Sequence, residues 1–134
     1  MVITTKTTVG LCVVGGAFGE GIDLVSDRLI GVAVVGVGLP QICFERDLIK
    51  DYCNQNGKEG FEYAYVNPGM NRVAQAVGRV IRSESDKGIA LLIDDRFLSQ
   101  TYRDLFKNEW SHYEVVTSQE DIAKQVEDFW FINK

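Results

Sequence analysis

The sequence has one histidine, His112, and three cysteines, Cys12, Cys43 and Cys53, in its 134 residues. No two cysteines form a C-x-x-C pair and none neighbours the histidine, so the ligand spacing of a metal site is missing. An odd cysteine count without a disulfide rhythm suits a reducing cytoplasm. Positive charge is also short, with 14 Lys and Arg against 19 Asp and Glu for a net charge of -5 at pH 7. That balance argues against a strong autonomous grip on nucleic acid, which calls for a basic surface, though it leaves room for a basic patch on one face. Long apolar runs are absent. The stretch from Val9 to Phe18 is broken by Gly10, Gly15 and Gly16 and reads as a buried strand with its loop rather than a signal peptide. Nothing approaches the roughly 20 apolar residues of a membrane span. Two nucleotide signatures are missing as well, the G-x-G-x-x-G fingerprint and the G-x-x-x-x-G-K-[ST] phosphate cradle.

What is present is the composition of one globular domain. Hydrophobic residues make up 46% and charged residues 25%, ordinary for such a domain, and the length suffices to bury a core. Residues 1–134 read as a single domain without repeats or an evident linker. Four apolar runs predict strands, at Leu11–Val14, Leu29–Val37, Ile89–Ile93 and Glu114–Thr117. Their continuous rather than alternating hydrophobicity points to strands covered on both faces, the habit of parallel sheets. Helical patterns lie between them. Gln41–Gln55 should bury Ile42, Leu48, Ile49 and Tyr52. A helix opening at Asn67-Pro-Gly, with Pro68 in its first turn, should run to about Ser83. Leu98–Phe106 should form a third. Ser118 should cap a last helix, with Asp121 three residues on and Ile122, Val126 and Phe129 inward. Cys12 reads as a small core residue, and 54–62, with Gly57 and Gly60, as an exposed flexible loop. Strands alternating with helices predict a doubly wound α/β domain: a mainly parallel sheet of about four strands with helices on both faces.

The chemistry concentrates in Gln75-Ala-Val-Gly-Arg-Val-Ile-Arg82. At about 100° per residue, Gln75, Arg79 and Arg82 share one narrow helical face and Arg72 lies close to it, with Val73, Val77, Val80 and Ile81 opposite. Gly78 beside the stripe lets another group approach. Guanidinium forks on one front suit phosphate, which they bind bidentately while staying charged. Taken alone, the stripe equally fits a solvated polar face. A second segment, Gly15-Gly-Ala-Phe-Gly-Glu-Gly-Ile-Asp-Leu24, leaves the carboxyl end of the first predicted strand, where ligands gather in such sheets. Its glycines bare backbone N–H groups, and Asp23 offers an acceptor pair for ribose hydroxyls. Arginines to sense a phosphate, without a cradle to hold one, suggest half of a site.

These segments resemble known motifs. Gly16-Ala-Phe-Gly-Glu-Gly-Ile-Asp23 is similar to motif V, and Gln75–Arg82 to motif VI, of superfamily 2 helicases. The wording of 14–24 and of 79–97 resembles the DinG/XPD family in particular, and the likeness runs from Leu11 to Trp110. The resemblance implies a partial second RecA-like motor domain of an ATP-dependent DNA helicase, with motif V at 15–24 and motif VI at 75–82. ATP and Mg²⁺ would be held mainly by the first motor domain, with none bound tightly here, and single-stranded DNA would be the track, travelled 5′→3′. By position, Arg79 and Arg82 would reach the γ-phosphate across the cleft. Gln75 would help coordinate the nucleotide or relay its state with Gly78 adjoining it, Asp23 would meet the ribose or tie the motif V loop to motif VI, and Glu20 and Gly21 would shape the loop between nucleotide and DNA. Family members carry motif IV ahead of motif V, which implies that this chain is a fragment, inert alone, whose exposed sheet edge could pair with another copy. Many members also hold an iron–sulfur cluster in the first domain, and Cys12, Cys43 and Cys53 match none of its ligands.

Two other readings compete. Asp94 and Asp95 at a strand end, with Asp23 at another, could form a Mg²⁺ site for phosphoryl transfer, although Asp94 and Asp95 also suit capping the strand end and pairing with Arg96 or a neighbouring helix terminus. Alternatively the chain is a non-catalytic interaction module with a motor-domain fold. The aromatic run 129–131 and the pair Tyr63 and Tyr65 read as packing rather than base-stacking residues.

Overall fold

The computed structural model describes residues 7–16, 29–82 and 86–132. Two strands form a parallel sheet, β1 (Gly31–Val35) and β2 (Ile89–Ile93), in a register that runs from Gly31 opposite Ile89 to Val35 opposite Ile93. Both are rich in the branched apolar side chains that suit a pleated surface, and the amide of Gly36 extends the ladder to the Ile93 carbonyl at 3.0 Å. The crossover between them carries α1 (Phe44–Gln55) and α2 (Asn67–Val77). After β2 come a 3₁₀ turn at Asp95–Leu98, the short α3 (Gln100–Arg103), a second 3₁₀ turn at Asn108–Trp110, and α4 (Gln119–Ile132).

The core lies on one face of this sheet. Val34 and Val37 from β1 and its exit meet Val66, Met70 and Val73 along the crossover helix, with Phe97 and Tyr102 closing the far side. Val73 is wholly buried, and each such side chain contributes about 1.5–3 kcal/mol by leaving water. Alternation then decides the other face, because residues two apart point the same way. Leu92 pairs with Val34 and packs on the core, whereas Ile93 pairs with Val35, and Val35 is 74% exposed. Helices on both faces were expected; among the described residues only one face is covered.

Two of the four expected strands are seen. Residues 113–117 have no regular structure, and neither do 11–13. Leu11 is 96% exposed and Cys12 is exposed rather than a core residue. Only Val14 of that run reaches the core, at the point where the Gly16 amide donates to the Val13 carbonyl and turns the chain. Hydrophobicity alone does not make a strand without a neighbour to complete its ladder.

The helices differ in similar ways. In α1 the residue buried is Cys53, while Ile42, Leu48, Ile49 and Tyr52 are exposed, because α1 leans on the segment ahead of α2 and not on the sheet. The stretch 54–62 is exposed in part but tied down: Asn54 Oδ1 accepts from the Gly60 amide at 2.9 Å, and the Lys58 amide donates to Cys53. The helix expected to open at Asn67 is already running, as a π-helical turn at Glu62–Val66. Pro68 accounts for this. It has no N–H for the Ala64 carbonyl four residues back and its ring crowds that oxygen, so the helix widens, as a π-turn does. Arg46 Nη1 supplies the missing donor to Ala64 at 2.7 Å. The cap of α4 is as expected, with Ser118 Oγ accepting from the Asp121 amide at 3.0 Å. Its inward stripe, Ile122, Val126 and Phe129, is half-buried, and the rings of Phe129 and Trp130 pack edge to face.

Candidate functional site

Helix α2 sets the site because its two faces have different work. Met70, Val73 and Val77 point into the core, and the spacing of Asn71, Ala74, Gln75 and Gly78 places those four along the opposite flank. The helix ends at Val77, earlier than the expected Ser83. The Arg79 amide donates to Ala76 at 3.3 Å and the Val80 amide to Val77 at 3.0 Å, the tight bonding of a 3₁₀ turn. Glycine at 78 is a poor helix former, and Val80, which is buried, packs against Gly88, itself beside the Ile30 carbonyl just ahead of the two strands. The chain is thereby drawn off the helix axis.

This turn divides the expected stripe. Gln75, Gly78 and Arg79 line one open, shallow depression of about 660 Å³ together with Asn71, Ala74 and Lys107. Arg82 is not part of that lining. It is exposed, its Nε donates to the Arg79 carbonyl at 3.1 Å and its amide to the Asp86 carboxylate at 2.9 Å. Arg72 also faces elsewhere. Its side chain lies over Gly15, where φ is +78° and an added Cβ would come within 2.9 Å of Arg72 Nε. A second cavity, of about 70 Å³, lies between 12–15 and the helix residues Arg72, Gln75 and Ala76. Gln75 therefore borders both, and the start of the glycine-rich segment adjoins the start of the arginine segment. Glu20, Gly21 and Asp23, expected at the far end of the glycine-rich segment, lie outside the described residues.

The depression runs along the flank of α2. Its Arg79 end sits toward the amino ends of the strands, since Val80 packs against Gly88, just ahead of β2. The carboxyl end of β1 meets the other end of α2, where Gly38 (φ +64°) and Gly69 come so close that a Cβ on either would strike the other segment's backbone within 3 Å.

The lining is a donor set: two amides, a guanidinium and an ammonium, with no carboxylate among the described lining residues. In a chain of net charge -5, that composition fits an anion. Lys107 and Asn71 were not expected from the sequence. Asn71 carried a signal, standing four residues before Gln75 on the same flank. Lys107 carried none; it arrives through packing. Phe106 beside it meets Phe97, Trp110 and Tyr113 at ring distances of 6.3, 5.5 and 5.4 Å, and the Lys107 carbonyl accepts from the Trp110 amide at 2.9 Å.

Of the two carboxylates after β2, Asp94 is engaged by Arg96. Asp94 Oδ1 accepts from the Arg96 amide and Nε, each at 2.9 Å, and Oδ2 accepts from Nη2 at 2.8 Å. Those guanidinium bonds hold the Asp94 carboxyl down at about 2. Among the described residues no three His, Cys, Asp or Glu side chains group as a metal would require. His112 is exposed, and no described helix is long and apolar enough to cross a membrane.

Known proteins share this sequence pattern. A family model described as the helicase C-terminal domain matches residues 3–113. A probable ATP-dependent helicase of Methanocaldococcus jannaschii is 29% identical over 97 residues, covering 66% of this chain and 15% of that protein. The ATP-dependent DNA helicase DinG of Photobacterium profundum is 32% identical over 89 residues, 65% of this chain and 13% of its own length. The ATP-dependent DNA helicase chl-1 of Caenorhabditis elegans is 31% identical over 103 residues, 75% of this chain and 12% of its own length. The chain thus spans well under a fifth of each of these relatives.

Proposed function

The chain belongs to the helicase C-terminal domain family, in the DinG/XPD group, and from that premise we propose that it is the arginine-bearing half of an ATPase cleft. The other half, a first motor domain of the same protein, would hold ATP and Mg²⁺ by its phosphate cradle. The pair together would couple hydrolysis to movement along single-stranded DNA and to unwinding, in the cytoplasm. The observation that carries this reading is the shared depression of Gln75, Gly78 and Arg79, bordered through Gln75 by the cavity that reaches Gly15.

In this reading Arg79 acts on the γ-phosphate. Charge spreads over the equatorial oxygens as the phosphoryl group transfers, and a guanidinium fixed beside them stabilises that charge more than it stabilises the ground state. The half-buried position of Arg79, with the backbone around it closed into a 3₁₀ turn, keeps its reorganisation small. Gln75 donates from the neighbouring turn of α2, and bare Gly78 lets the nucleotide approach. Asp23 at the ribose, and Glu20 and Gly21 between nucleotide and DNA, are assigned by the resemblance alone. So is Arg82 as the second arginine.

The test is to pair the chain with a first motor domain of a DinG-type relative and follow ATP hydrolysis with and without single-stranded DNA. DNA-stimulated turnover is expected from the pair and none from the chain alone. Arg79→Ala should lower turnover about 10³-fold or more, the range of arginine fingers, while ATP binding is largely kept. Turnover at the normal rate in Arg79→Ala would show that this arginine has another role. Arg82→Ala separates the two arginines: a comparable loss places Arg82 in the cleft as well, and normal turnover confines the task to Arg79. A pair that never hydrolyses ATP would favour a non-catalytic interaction module.

A further inference from the structure

We infer that Lys107 is a second cation of the Arg79 site and binds the phosphate chain of the nucleotide together with Arg79, Gln75 and Asn71. The inference rests on the reading above and extends it to a residue outside both helicase motifs. Its basis is the lining of the depression, to which α2 contributes Asn71 and Gln75, the turn after it Arg79, and the segment after β2 Lys107.

Three observations support it. First, Lys107 is held in place by its surroundings. Phe106 before it packs edge to face on Trp110 and Tyr113, and its own carbonyl accepts from the Trp110 amide at 2.9 Å, so its backbone is clamped on both sides to the aromatic cluster at the core. A lysine on a free loop spends its charge on water; one with a fixed backbone gives up less freedom when it binds. Second, the depression gathers two positive charges and two side-chain amides with no carboxylate among its described lining residues, in a chain whose net charge is -5. Among the described lining residues the two charges are both positive, a composition that fits an anion of more than one charge. Third, the two cations differ in kind. The planar fork of Arg79 suits two oxygens of one phosphoryl group, whereas the Lys107 ammonium is a compact point charge on a flexible stem that can follow a neighbouring oxygen. A chain of linked phosphates uses both.

The test uses the chain itself, labelled with ¹⁵N, titrated with inorganic tripolyphosphate and separately with an oligothymidylate lacking terminal phosphates. Tripolyphosphate should shift the signals of Asn71, Gln75, Gly78, Arg79 and Lys107 in a saturable way. Lys107→Ala should weaken that binding about tenfold, the value of one charge-assisted hydrogen bond, and Lys107→Arg should retain most of it. Unchanged affinity in Lys107→Ala with lost affinity in Arg79→Ala would overturn the role of Lys107 and leave that of Arg79 standing. Absence of any shift at Lys107 would overturn it as well. Should the oligothymidylate move these signals and tripolyphosphate not, the depression would belong to the nucleic acid strand and the inference would fail. Loss of the helicase reading would appear separately, as an inactive pair in the ATPase experiment.

Discussion

Asp94 shows how much a single residue settles locally. Both of its carboxylate oxygens are taken by Arg96, two positions on, and by that residue's amide. The pairing was legible in the sequence because it needs nothing beyond a strand end and a side chain of the right length. The carboxyl is lowered from 3.8 to about 2, first through the Arg96 hydrogen bonds. A group lowered on folding contributes stability in full above its unfolded value and loses it as pH falls toward its folded value. The pair should therefore stabilise the fold above about pH 4 and stop doing so near pH 2. Its size is about 1 kcal/mol, since Arg96 is half exposed and water screens it. Urea unfolding of Asp94→Asn should show that deficit at pH 7 and none near pH 2; an equal deficit at both would assign it to the turn rather than the charge. Lys107 is the opposite case. Its charge has meaning only because Phe106 and Trp110 bring it to α2, and no local pattern encodes that.

At the scale of elements, the crossover helix decides most. Its apolar face was readable from Val73, Val77 and Val80, all three buried, whereas Ile81, expected beside them, is exposed. Its ends were not. Pro68 looked like a beginning because proline suits a first turn, yet the chain tolerates it inside a helix by widening to a π-turn and lending Arg46 to the Ala64 carbonyl. Arg46→Ala should leave that partly buried oxygen without its donor and cost about 1–3 kcal/mol. Chemical denaturation of Arg46→Ala and Arg46→Lys checks this, with the lysine variant expected to recover part of the loss. A loss below a few tenths of a kcal/mol would mean water replaces the arginine. The other end stops at Val77 because Val80 is needed in the core beside Gly88, and this takes Arg82 away from the face that simple periodicity gave it.

At the scale of the whole molecule, the core among the described residues is one-sided and leaves an apolar surface open. Val35 and Ile93 on the sheet, and Ile42, Phe44 and Leu48 around α1, are all exposed, and exposed apolar surface promotes association. Among the described residues each of the two strands also has a neighbour on one side only. Sedimentation velocity should show self-association that grows with concentration, and Val35→Lys should weaken it at little cost to stability, since Val35 is exposed in the monomer. Concentration-independent sedimentation of the unaltered chain would count against this. Sequence by itself determined the family through two motifs, the parallel pairing of valine- and leucine-rich runs, the Ser118 cap and the Asp94–Arg96 pair, because each rests on residue identity or on neighbours along the chain. Tertiary structure alone decided which apolar residues are covered, where the arginine helix stops, and that Gln75, Arg79 and Lys107 face one depression. Those outcomes depend on which surfaces meet, and a residue 28 positions beyond Arg79 is brought beside it only by the packing of a shared core.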